Sequence, residues 1–73
     1  MIYVFEGFEE DKRVLVEKMD NEITITTKTN SNVERMIKKS DDFISENEFE
    51  CYCDDVIQEL LFADDLILVK TLK

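Results

Sequence analysis

Histidine, tryptophan and proline are absent from this 73-residue chain, and it holds one glycine and two cysteines. Without histidine it lacks the commonest general base near neutral pH and the commonest metal ligand. One glycine leaves no glycine-rich phosphate loop, and no nucleophile elbow or basic aromatic patch occurs. Two cysteines, Cys51 and Cys53, are too few and too close for the scaffold of a secreted domain. No apolar run approaches the roughly 18 residues of a membrane span. The start, "MIYVFEGFEEDKR", has no basic segment before an apolar one. The expectation is a cytoplasmic protein that is not an enzyme, binds no cofactor or metal and does not enter a membrane.

A further absence is local. Ser40 to Asp65 contains no basic side chain and ten carboxylates. Residues 1–39 hold eight acids and seven bases, and residues 66–73 add two lysines. The formal charge of −9 therefore comes from the middle 26 residues. A field of that sign repels nucleic acid and attracts basic protein surfaces.

Hydrophobic content of 44% is enough for a folded domain. The length allows one domain, residues 1–73, with one small core. "IYVF" reads as a strand at Ile2–Phe5. "KRVLVEKM" and "EITITTKT" flank Asp20-Asn21, a two-residue hairpin turn. That turn sets Val16 opposite Ile25, Val14 opposite Thr27 and Lys18 opposite Ile23. Val14, Val16, Ile23 and Ile25 then share a core face, with Leu15 on the other. Ser31 and Glu34 have capping-box spacing, and Val33, Met36, Ile37, Ser40 and Ile44 recur at helical intervals. A helix over 32–45 is expected, with Glu34 reaching Lys38. In 48–53 a strand would alternate Phe49, Cys51 and Cys53. The longer stripe Phe49, Tyr52, Cys53, Val56, Ile57, Leu60 and Leu61 favours a helix over 48–62, capped at Asn47 with Glu50. "LILVKTL" reads as a final strand, and its apolar start suggests a central place in the sheet. The expected fold is α+β: a small antiparallel or mixed four-stranded sheet (β-β-β-α-α-β) covered on one face by two helices.

On that helix Glu48, Glu50, Asp54, Asp55 and Glu59 fall outside the core stripe. Residues four apart rise about 6 Å along the axis, a spacing similar to that of successive phosphates. Asp41, Asp42 and Glu46 extend the series. Such a surface suits a basic, nucleic-acid-binding protein as partner, blocked competitively and without direct nucleic-acid binding. In size, acidity and lack of catalytic groups the chain resembles nucleic-acid-mimicking inhibitors made by phages and mobile elements. That likeness of style carries over no residue. Phe8, in the acidic turn Glu6–Asp11, suits an interface anchor or a lid folded onto the core. A regulatory subunit or adaptor is the other reading, binding through an apolar sheet face around Leu15, Met19 and Phe62. The same three residues suit a homodimer.

"LLFADDLILV" resembles the catalytic hairpin of reverse transcriptases, where Asp64 and Asp65 would hold metal ions. That family needs another aspartate on a preceding strand and a far larger palm. The stretch reads instead as a charged break between helix and strand. Cys51 and Cys53 would point about 200° apart on a helix and cannot chelate together. Cys53 then fills the core and Cys51 is a free thiol.

Overall fold

The computed structural model describes residues 1–8 and 11–73. Glu9 and Glu10 of the acidic turn lie outside the described residues. The elements are β1 (Ile2–Gly7), β2 (Lys12–Lys18), β3 (Glu22–Thr29), β4 (Asn32–Lys39), a 3-10 turn (Ser40–Asp42), α1 (Glu46–Leu61) and β5 (Leu66–Leu72). The strands form one antiparallel sheet in the order β4-β3-β2-β1-β5. The α+β class holds, but with five strands and one helix rather than four strands and two helices.

The β2–β3 hairpin has the register its turn dictates. Val14 pairs with Thr27, Val16 with Ile25 and Lys18 with Ile23. Alternation then sends Val14, Val16 and Ile23 into the core with Phe5, Leu66 and the α1 residues Phe49, Cys53 and Ile57. Each large apolar side chain so buried contributes about 1.5–3 kcal/mol. Ile25, Tyr52 and Leu60 pack at the margin. Leu61 is 41% exposed and lies outside the core.

Residues 32–39 are a strand, not the first half of a helix. Asn30, at φ 49°, turns the chain in the left-handed region that asparagine tolerates. The next eight residues then zip along β3, from Thr29↔Asn32 to Glu22↔Lys39. Spacing alone could not separate the two outcomes, because the positions that suit a helix stripe have nothing to cover. Val33, Met36 and Ile37 are all about half exposed. Ser31 caps nothing, since no helix follows it. Glu34, Arg35, Lys38 and Lys39 line this outer strand with charge, which disfavours pairing with another sheet edge.

The second expected helix is real and starts slightly earlier, at Glu46. Its cap is Ser45, not Asn47: the Ser45 hydroxyl accepts the Glu48 backbone N–H at 3.2 Å. Phe43 leads into it and packs on Phe49 and Tyr52, with ring centroids 5.6 and 5.2 Å away. β5 is an edge strand beside β1, not a central one. Its apolar run serves two faces. Leu66 and Leu68 meet the core, while Ile67 and Val69 are half exposed on the other side.

Candidate acidic binding face

The site grows from the geometry of α1. Phe49, Cys53 and Ile57 turn one face of the helix onto the sheet. Lys18 fixes the N-terminal end. Its ammonium donates to Glu50 at 3.1 Å and to the Met19 carbonyl at 2.6 Å, and lies 5.1 Å from the centre of the Phe49 ring. Beyond the other end, Lys12 pairs with Asp65, 3.2 Å away, in the turn that leads into β5.

Every carboxylate from Asp41 to Asp65 is exposed. Only Glu50 and Asp65 form ion pairs among the described residues, so eight of the ten have no cationic partner there. Asp42 accepts the Lys39 backbone N–H at 3.0 Å. At about 100° per residue, Glu48, Asp55 and Glu59 fall within roughly 40° of one another around the axis. Glu50 and Asp54 form a second strip, about 140° from the first. Cys51, Gln58 and Phe62 form the crest between them, and all three are exposed. The acids therefore flank the exposed half of α1 in two strips and do not form one row. Asp41 and Asp42 extend the surface beyond the helix start, and Asp64 and Asp65 beyond its end.

The opposite face of the sheet has another character. Strand register places Arg13, Lys28, Arg35, Lys39 and Lys70 there with Glu6, Glu17 and Glu22. Five bases against three acids leave that face at +2. The fold thus separates charge between its two sides, which the linear sequence did not reveal.

Phe8 is 67% exposed and does not fold back as a lid; its N–H donates to the Asp65 carbonyl at 3.2 Å. It stands at the β5 end of the acidic surface. Leu15, Met19 and Phe62 do not form one patch. Leu15 lies mid-sheet, facing away from α1. Met19 follows β2 at the Glu50 end of the helix, while Phe62 caps the helix's other end, near Lys12 and Asp65. The seven residues of β2 separate those ends by about 20 Å.

Cys53 is buried and Cys51 exposed. Burial pushes the Cys53 thiol above its usual value of 9.0. Lys18 opposes that shift, and Glu50 and Asp54 add to it. Among the described residues, no group of three or more His, Cys, Asp or Glu side chains is placed to hold a metal ion. Among those residues Asp64 and Asp65 gain no third carboxylate of the kind the polymerase-like arrangement requires. No helix of the described residues is long and apolar enough to cross a membrane.

The chain matches no protein-family model, and no curated protein or solved structure shows significant similarity to it.

Proposed function

We propose that this is a small acidic binding protein that inhibits a nucleic-acid-binding protein by occupying its basic surface. The observation that carries the reading is the unneutralised carboxylate surface on and around α1. Among the described residues, five acids without cationic partners stand on α1 and three more flank it, while lysines from β2 pair with Glu50 near the helix start and with Asp65 just past its end. Solubility alone is usually served by mixed charges. Two carboxylate strips on a cylinder about 10 Å across have a separation comparable to the roughly 6–12 Å groove widths between DNA strands. That supports mimicry of a nucleic acid over a generic acidic patch. Long-range attraction would speed the encounter, and inhibition would need no chemistry.

The test is affinity capture with the tagged protein, eluted by a salt gradient. The captured protein should bind nucleic acid, lose it in competition with this chain, and elute at moderate salt. Asp54→Lys, Asp55→Lys and Glu59→Lys together should abolish capture while far-ultraviolet circular dichroism stays unchanged. Capture that survives this triple reversal in a folded protein, or a partner with no affinity for nucleic acid, would overturn the reading.

A further inference from the structure

We infer that the groove beside Arg13 and Lys28, on the sheet face away from α1, binds a small organic anion with one negative group on an apolar body. This inference is independent of the function proposed above. Two recesses meet at that pair of cations. One, of about 290 Å³, is polar and is lined by Arg13, Lys28, Asp11 and Asn30. The other, of about 270 Å³, has Val4, Leu15 and Thr26 along its floor, and Arg13 and Lys28 again close one end.

The register builds this groove. Val4, Leu15 and Thr26 follow one another in a single row across β1, β2 and β3, and Arg13 and Lys28 stand side by side in the next. Alternation points these side chains away from Phe5, Val14, Val16 and Ile23, the residues that α1 covers. Val4, Leu15 and Thr26 are half-buried, while Arg13 and Lys28 are exposed at the rim.

The charges identify the ligand. Arg13 sits directly opposite Lys28 across the β2–β3 ladder, a like-charged pair that costs stability. Arg35, opposite Thr26 on β4, donates from Nε to the Thr26 hydroxyl at 3.3 Å and so brings a third cation to the groove. None of the three forms an ion pair among the described residues. Two carboxylates stand near them: Glu6 opposite Arg13 on β1, and Asp11 in the polar recess. Three cations and two carboxylates leave a single positive charge. One anionic group between Arg13 and Lys28 neutralises it and relieves their repulsion, accepting charge-assisted hydrogen bonds from both. A polyanion such as nucleic acid would set its excess charge against Glu6, Asp11 and a chain of net charge −9. An inorganic anion would leave Val4 and Leu15 uncovered. An alkyl or aryl carboxylate or sulfonate satisfies both the cations and the floor. Together the two recesses exceed the roughly 300 Å³ at which small-molecule sites begin.

The probe is naphthalenesulfonate, titrated into the isotope-labelled full chain and followed by amide chemical shifts. With about 14 non-hydrogen atoms at ordinary ligand efficiency, it should bind at about 1 mM or tighter. The shifts should centre on Val4, Arg13, Leu15, Thr26 and Lys28 and spare α1. Arg13→Gln and Lys28→Gln should each weaken binding about tenfold with circular dichroism unchanged. Naphthalenemethanol, which has the body without the charge, should bind at least about tenfold more weakly, and so should sulfate, which has the charge without the body. Equal affinity for either control overturns the proposal. So do shifts centred on α1 or on the β5 edge, and so does the absence of saturation up to about 10 mM. Unchanged affinity in a folded chain carrying both Arg13→Gln and Lys28→Gln also overturns it.

Discussion

Replacing Glu59 by lysine should make this protein more stable. Glu59 is exposed near the end of α1, one turn after Asp55, and the last turn contains no basic residue. Three contributions change together. Repulsion between Asp55 and Glu59 disappears, a gain of about 0.2–0.5 kcal/mol. An acid followed by a lysine four residues on is the favourable orientation, adding about 0.2–0.5 kcal/mol. A cation in the last turn interacts with the helix dipole for about 0.3–1 kcal/mol. Glutamate and lysine have similar helix propensity, so no large backbone effect opposes these. The sum is roughly 1 kcal/mol, with about 2 as its ceiling. A chain of this length has a total stability of about 4–11 kcal/mol, so the change should be easily measured. Urea unfolding followed by circular dichroism at low salt should show the higher midpoint, and the melting temperature should rise by roughly 4–8 °C. Glu59→Gln should recover only part of the gain. In 1 M salt, where screening acts within about 3 Å, most of the difference should vanish. An unchanged or lower midpoint at low salt would refute the account of α1 as a helix carrying uncompensated repulsion. If Glu59→Lys both stabilises the fold and weakens partner binding, the acid is retained for function at the expense of stability.

Two further outcomes follow from the helix and its core. Ser45→Ala should cost about 1 kcal/mol in urea unfolding, because the Glu48 N–H loses its acceptor, whereas Asn47→Ala should cost much less. In the native protein a thiol reagent should label Cys51 quickly and Cys53 only at the rate of opening. Because burial raises the Cys53 thiol, the folded state keeps its proton after the unfolded chain has lost it. This contribution to stability should therefore fall as pH climbs past about 9. Cys53→Ala should remove that dependence, and a Cys53 that titrates and reacts like Cys51 would contradict its burial.

The parts legible in the sequence were those governed by local rules. A two-residue turn at Asp20-Asn21 and strict alternation fix the β2–β3 register, because a slip by one residue would expose Val14, Val16 and Ile23. The long apolar stripe from Phe49 to Leu60 fixes a helix, and the carboxylates between its members are then forced outward. The order of residues alone places the charge imbalance between Ser40 and Asp65.

Tertiary structure decided what local spacing left open. Val33, Met36 and Ile37 fit a helix as well as a strand; the available β3 edge made them β4 by supplying eight paired residues. The run Leu66–Val69 looked central because both its faces are apolar, yet its neighbours place it at an edge. Only the assembled sheet puts Lys18 under Phe49 and Glu50, gathers Arg13, Lys28 and Arg35 on one side, and leaves the α1 acids on the other. Charge along a chain is a property of sequence, but which charges face the same way depends on contacts between residues far apart in it.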